Sequence, residues 1–556
     1  MVKLVGGVVS ALVCLGACGS SEEKTDQTGV ETGVEESGLE TADPQMGHPT
    51  CEALELPTMA WNPGPYGMLR HDIADDFDFP VLGGETWSLS ANWTGCDVYL
   101  FVPDRRTYSG LDSTSIWERD LEELIAGSPL NAHYFFVATA SEESAEANLA
   151  AMQVRVDEAL AGLDEDTRTH WQSRLHVSAV FRTELGGWLS SMLATEAFYY
   201  GFGIDRSQGV RLFGNWADVN RYDQALSDAG EWPWEANMSY AAHEARHWNF
   251  EALRDARLGD EDVLIVSPWS QEVLGHVVEV DVEFPDEATM AGFDTLEIDL
   301  TMDCPDPEAG EFGNCGAWDY LSHIYLQDDE DEEKWHEVAR FITTYHREGR
   351  YVVDATHLLA EISGGGVRHL KYDISPSWNP QSYMTQMDFR FSNRGKGYRP
   401  VALVPLWTGG SLDSNYNDNQ ADLEVEIPES ATRVEFRALL TGHGMAGGNC
   451  AEFCNHKHYF QINDSRYKKN HGTVGQAEGC IDEIENGMVP NQGGTWWFGR
   501  GGWCPGQQVE PFIENVTTDW VPGEAMELSY EVKIGVADPP DNSGNIVLNS
   551  WLVVYE

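Results

Sequence analysis

Basic residues are scarce in this chain: 34 lysines and arginines stand against 92 aspartates and glutamates in 556 residues, a net charge of −58. A surface so acidic repels phosphate backbones, which excludes nucleic acid as a partner. Long apolar runs are also lacking. After the first seventeen residues no segment has the length and apolarity to cross a bilayer as a helix, so the rest of the chain is expected to be soluble. No short-period internal repeat is present. The acid excess itself implies only solubility, and its densest run, Asp328 to Glu333, is expected as a solvated hairpin tip or loop.

The first residues carry one basic side chain, Lys3, and then an apolar run from Leu4 to Leu15 that is too short for an anchor helix but suits an export signal. The run ends in Leu15-Gly16-Ala17-Cys18, which resembles the lipobox of bacterial lipoproteins. The expectation is a signal over 1–17, cleavage before Cys18, a lipid on Cys18, and a protein held by that lipid at the outer membrane or cell surface. Residues 18–47 are mostly Ser, Glu, Thr, Gly and Asp, cannot offset their own ordering entropy and are expected to form a disordered acidic tether.

Ten cysteines are present; Cys14 would leave with the signal and Cys18 would take the lipid. The remaining eight imply disulfides in an exported protein. Sequence order suggests Cys51–Cys96, Cys304–Cys315, Cys450–Cys454 and Cys480–Cys504, although order alone does not fix connectivity.

From 48 to 262 strand-like and helix-like stretches alternate: Asp97–Val102 and Ala132–Ala138 read as strands, Ser115–Ala126 and Ser141–Leu163 as helices, an α/β pattern. The passage Phe77-Asp78-Phe79-Pro80-Val81-Leu82-Gly83-Gly84-Glu85-Thr86-Trp87-Ser88-Leu89 resembles the entry to a thioredoxin-like redoxin domain. Ile204-Asp205-Arg206-Ser207-Gln208-Gly209-Val210-Arg211 resembles a later turn of that fold. No Cys-x-x-Cys follows the first strand, so such a domain would be degenerate and without dithiol chemistry. His243-Glu244-Ala245-Arg246-His247 has the spacing of a zinc-protease helix. Arg246 stands where such a helix packs into its core and no third ligand follows, so a packing or surface role is expected.

Beyond Leu258 the pattern turns to short strands separated by Gly and Pro, as in His276–Phe284, Thr295–Met302 and Trp551–Tyr555. That length of β structure needs two sandwiches or barrels, expected over 263–396 and 397–556. Three passages carry a family likeness. They are Cys304 through Cys315-Gly316-Ala317-Trp318-Asp319-Tyr320 with Arg340-Phe341-Ile342-Thr343; Gly442-His443-Gly444 with Cys450-Ala451-Glu452-Phe453-Cys454, His458 and Ile462-Asn463; and Arg500-Gly501-Gly502-Trp503-Cys504-Pro505-Gly506. In this order, across 270–556, they resemble the peptide-N-glycosidase F family.

The resemblance implies two tandem jelly rolls with the active site between them, and disulfides at the last three cysteine pairs. The implied reaction hydrolyses the β-aspartylglucosylamine bond of an N-linked glycoprotein or glycopeptide, with no metal or cofactor. It places catalysis on Asp319 and Glu452, and substrate binding on Trp378, His443, Phe453, Arg500, Trp503 and Tyr320. The residue types suit the chemistry: amide hydrolysis needs a carboxylate to activate water and donors to hold the carbonyl, while aromatic faces pack against sugar rings. Departures are visible too. Pro376 stands at the family's third acidic position, with Asp373 a substitute only if the strand register shifts, and Tyr320 replaces a basic residue. The competing readings are a non-catalytic surface glycan-binding lipoprotein and a copper-dependent monooxygenase-like protein using His443, His456 and His458.

Overall fold

The computed structural model describes residues 48–104, 117, 121–195, 201–212, 234–329, 331–444, 449–476, 478–492 and 498–556. The export signal, Cys18 and the tether lie outside them.

A short antiparallel hairpin, β1 (Asp78–Pro80) with β2 (Thr86–Ser88), precedes the first sheet. In that sheet β3 (Val98–Pro103), β4 (Ala132–Val137) and β5 (Leu175–Val177) are parallel neighbours. The antiparallel pair β6 (Phe202–Ile204) and β7 (Val210–Leu212) continues it past β3, in the order β5-β4-β3-β6-β7. Every residue of β3 and β4 is buried, as befits parallel strands covered on both faces. Helices α1 (Leu121–Gly127), α2 (Glu142–Ala161) and α3 (Trp234–Asp260) contribute to one covering core, and Phe77, Trp87, Tyr99 and Phe135 to the other.

Two antiparallel sandwiches of jelly-roll type follow. The first contains β8 (Val263–Leu274), β9 (Val277–Phe284), β10 (Thr295–Asp303), β11 (Leu321–Gln327), β12 (Trp335–Ile342), β13 (Gly349–Asp354), β14 (Gly366–Asp373) and β15 (Tyr383–Ser392). Its sheets run β13-β10-β15-β8 and β12-β11-β14-β9. The second contains β16 (Pro400–Ser411), β17 (Leu423–Val425), β18 (Arg433–His443), β19 (His456–Ile462), β20 (Ser465–Asn470), β21 (Phe512–Asn515), β22 (Met526–Ile534) and β23 (Asn545–Tyr555). Its sheets run β16-β23-β18-β21 and β17-β22-β19-β20. Strict alternation sets which side chains enter each core. In β11, Ser322, Ile324 and Leu326 are buried; in β19, His456, His458, Phe460 and Ile462 share the inward face.

The sandwiches meet over Ile342, Leu439, Trp503, Trp551 and Val553. Arg340 of β12 crosses this seam fully buried. Its Nε donates to Glu337 at 2.8 Å, and its Nη1 donates to Thr441 Oγ1 at 2.8 Å and to the Val547 carbonyl at 2.9 Å. The long helix α3 is fastened to the same region: Arg347 joins Glu244 of the helix and Glu311 of the first sandwich, and Arg350 donates to Asp255 at 3.0 Å. The disulfides are Cys51–Cys96, Cys304–Cys315, Cys450–Cys454 and Cys480–Cys504.

Candidate active site

Asp319 lies in the segment between Cys315 and β11, and both of its neighbours are tied down. The Trp318 N–H donates to Gln381 Oε1 at 2.7 Å, and the Trp318 carbonyl accepts from Thr343 Oγ1 at 2.6 Å and Gln381 Nε2 at 2.9 Å. The Tyr320 N–H donates to Thr343 Oγ1 at 2.8 Å. The backbone on either side of the acid is thus held while its carboxylate stays half-buried. Burial pushes the Asp319 pKa up, opposed by the nearby Arg500 charge and a hydrogen bond from Tyr345.

Glu452 arrives from the second sandwich on the short helix Cys450–Phe453, whose ends the Cys450–Cys454 disulfide joins. Its Oε2 accepts from the Gly444 N–H at 3.0 Å and its Oε1 from Arg500 Nε at 3.2 Å. Burial raises its pKa as well; Arg500 and the Gly444 bond pull it back, and the Asp319 charge adds to the rise. Tyr345 is influenced by both carboxylates, and its phenol is held well above its usual range by burial first and by Asp319 next. Its backbone N–H is fixed by Gln492 Oε1 at 2.8 Å, and Gln492 is itself locked by bonds to the Val489 and Pro505 carbonyls. Two acids, one guanidinium and one phenol from separate parts of the chain therefore act on one another.

The aromatic side chains divide into rim and interior. Trp378 is 74% and Trp318 52% exposed, and Tyr320 packs edge-on to Trp378 with ring centres 5.8 Å apart while its hydroxyl accepts from Asn379 at 2.7 Å. Trp503, expected to stack on a sugar, is instead buried in the seam. Its Nε1 donates to the Gly442 carbonyl at 2.8 Å and its ring is covered by Arg500 at 4.8 Å and His443 at 5.0 Å. It supports the site from behind because the seam claims its faces. Phe453 is half-buried with the Arg500 guanidinium 5.8 Å from its ring. Arg500 is buried too, so its reach is to Glu452 and the field at Asp319 rather than to open solvent. His443 is a neutral imidazole, pushed down to about 3 by burial, in contact with Thr441 Oγ1 at 2.8 Å. It lies outside the histidine cluster formed by His456, His458 and His471. Asp373 pairs with His323 and Val277 in a ladder without a bulge at that point, so no shifted register brings it to Pro376.

Tyr345, Trp318, Gln381 and Gln492 were not singled out by sequence reasoning. The nearest signal for Tyr345 was its place just beyond Arg340-Phe341-Ile342-Thr343, at the end of β12. In the H-E-x-x-H segment, Glu244 is fully buried against Arg347 and accepts from Asn491 Nδ2 at 2.9 Å, so it locks α3 to the first sandwich. A separate cavity of about 840 Å³ sits beside this junction, with His71, Arg211, Glu251, Asp303 and Glu348 among its lining residues.

Residues 412–553 match the family model described as "Peptide-N-glycosidase F, C terminal". Over its C-terminal half the chain resembles the peptide-N-glycosidase F family. A curated relative, peptide-N(4)-(N-acetyl-beta-D-glucosaminyl)asparagine amidase F of Elizabethkingia miricola, is 23% identical over 288 residues, 49% of this chain and 76% of the relative. Among solved structures, a peptide-N(4)-(N-acetyl-beta-D-glucosaminyl)asparagine amidase matches with a TM-score of 0.42 at 17% identity, covering 53% of this chain and 96% of its own. PNGF-II matches with a TM-score of 0.39 at 12% identity, covering 56% and 67% respectively.

Proposed function

We propose that the chain is a peptide-N-glycosidase-type amidase that hydrolyses the β-aspartylglucosylamine bond of N-linked glycopeptides and glycoproteins. The observation that carries this reading is the pairing of two half-buried carboxylates, Asp319 from one sandwich and Glu452 from the other, under one buried guanidinium, Arg500. In the proposed step Asp319 takes a proton from water as its oxygen attacks the side-chain carbonyl carbon of the glycosylated Asn. Tyr345 and Arg500 favour the negative charge that develops there. The C–N bond then breaks, the sugar leaves as a glycosylamine after gaining the proton, and the water oxygen remains in the new Asp carboxylate. Glu452, held by Gly444 and Arg500, orients the leaving amine. Trp378 and Trp318 offer exposed aromatic faces for the sugar, Tyr320 a half-buried one edge-on to Trp378, and Phe453 and His443 are further candidate contacts.

The exposed pair Trp318 and Trp378 also supports a second reading, a glycan-binding protein without turnover. The parallel β5-β4-β3 core with its antiparallel β6-β7 edge supports a degenerate thioredoxin-like N-terminal domain. The Leu15-Gly16-Ala17-Cys18 run supports a lipid-anchored exported protein.

Hydrolysis of a denatured N-glycoprotein in isotopically heavy water tests the proposal. The expected result is one heavy oxygen in the new Asp and a sugar released as its glycosylamine, which takes up solvent oxygen at its anomeric carbon only when it later hydrolyses; both products are lost in Asp319→Asn. Turnover that persists in Asp319→Asn overturns the assignment; glycopeptide binding with no turnover in the parent chain selects the second reading.

A further inference from the structure

Three histidines meet in the core of the second sandwich behind the Glu452 loop. His456 and His458 point inward from β19, and His471 follows β20 directly. The register pairs Lys457 with Asn470, so the next pair outward is His456 and His471. All three are buried, and one ring nitrogen from each lies within 4.8 Å of the other two.

Their hydrogen bonds decide where lone pairs point. His456 Nε2 is 2.7 Å from the Ala451 carbonyl, which only accepts, so Nε2 carries the proton and Nδ1 presents a lone pair. That Nδ1 is 2.7 Å from His458 Nε2, while His458 Nδ1 is 2.7 Å from the Tyr530 hydroxyl. His471 Nε2 is buried with no hydrogen-bond partner among the described residues. One shared proton satisfies the first pair but leaves His471 Nε2 unmet, whereas a cation takes one nitrogen from each of the three rings. Outer partners of the required kind are already in place: a carbonyl on His456 and a hydroxyl on His458 fix the rings from behind. Nitrogens about 2.0–2.1 Å from a tetrahedral zinc ion stand roughly 3.4 Å apart, longer than the 2.7 Å between His456 Nδ1 and His458 Nε2 and inside the 4.8 Å limit that holds for all three rings.

The glycines of the Arg500–Trp503 motif shape the same space. A Cβ at Gly501 would fall 2.6 Å from His456 Nε2, and one at Gly502 would fall 2.7 Å from His471 Cε1. These glycines therefore admit the imidazoles, a requirement separate from the carboxylate chemistry.

We propose that His456, His458 and His471 form a buried structural site for one divalent transition-metal ion of the zinc type, with water in the fourth position. The ion fixes His456, whose Nε2–H holds the Ala451 carbonyl immediately before Glu452. The site is independent of the proposed reaction: the metal sits behind the carboxylate and takes no part in bond breaking.

The test uses the whole chain, stripped with a chelator, dialysed and titrated with zinc alone against a chromogenic competitor; cobalt substitution reports the ligand field. The expected result is one equivalent of zinc per chain, a rise in melting temperature on binding and tetrahedral cobalt absorption. His471→Ala removes the nitrogen without a partner together with a buried ring, so the stripped variant should melt below the stripped parent and should lose the rise in melting temperature on adding zinc. Its zinc affinity should fall by more than the roughly 10–100-fold that loss of an outer partner costs. His458→Gln provides a second variant, and His243→Ala should bind as the parent. A stripped parent that takes up no stoichiometric zinc, or a His471→Ala chain that binds it equally, overturns the proposal.

Discussion

Arg500 Nε donates to Glu452 Oε1 across 3.2 Å, and the same guanidinium lies over the buried Trp503 ring. Burial raises the pKa of both Asp319 and Glu452, and Arg500 is the largest opposing influence on each. Removing that charge lets both acids rise further. The acid limb of the pH profile for kcat/KM is therefore expected to move to higher pH in Arg500→Met. Arg500→Lys should move it less, because the charge survives while the planar contact with Trp503 is lost. Profiles of the three proteins on one glycopeptide check this, and an unmoved acid limb in Arg500→Met counts against the shared guanidinium.

Asp319→Asn is expected to lose roughly 10²–10⁴-fold in kcat, the usual worth of a positioned proton acceptor. Its stability should change in the opposite sense. A carboxyl whose folded pKa is raised favours the fold below its unfolded pKa and loses that advantage as pH rises to the folded value. At neutral pH the amide removes a disfavoured buried charge, so Asp319→Asn should melt no lower than the parent. A variant that is both inactive and strongly destabilised would mean the acid holds the fold instead.

Trp378 and Trp503 should separate cleanly. Trp378→Ala removes an exposed ring and should leave stability within about 0.5 kcal/mol while raising KM for glycopeptide. Trp503→Ala opens the seam and should cost about 3–5 kcal/mol. Denaturant melts alongside Michaelis kinetics measure both, and a KM unchanged in Trp378→Ala would remove that ring from the sugar site.

Asp303, in the cavity beside α3, is pushed up to about 6 by burial, with the Glu348 charge the next contribution. The Asp303 contribution to stability should accordingly fall between the ordinary carboxyl pKa near 4 and pH 6, as the unfolded chain ionises first. Asp303→Asn is expected to gain about 2–3 kcal/mol at pH 7 and nothing below pH 4. Melting curves at the two pH values decide, and equal gains at both would place the effect elsewhere.

The family resemblance made Asp319 and Glu452 legible as candidates, since each lies in a short passage that carries it, Cys315–Tyr320 and Cys450–Cys454. Alternation likewise put His456 and His458 on one face of a strand. Tyr345 and His471 were not legible, because their meaning depends on which strands pair and how sandwiches meet. His471 becomes opposite to His456 only once the hairpin centred on Asn463 and Asp464 is in register. Trp503 illustrates the converse: a tryptophan beside a motif looks like a sugar platform until the seam fills both of its faces. Glu244 matched a metal-site spacing, yet its partner Arg347 stands 103 residues away and turns it into a clamp.

The crossing of Arg340 fixes more than a seam. Its guanidinium is fully buried and divides its bonds between Glu337 on its own side and Thr441 and Val547 on the other. Parting the sandwiches would break its bonds to Thr441 and Val547 and expose the apolar seam to water. The two carboxylates, one carried by each half, therefore depend on this seam for their placement. Neither half produced alone would carry both carboxylates.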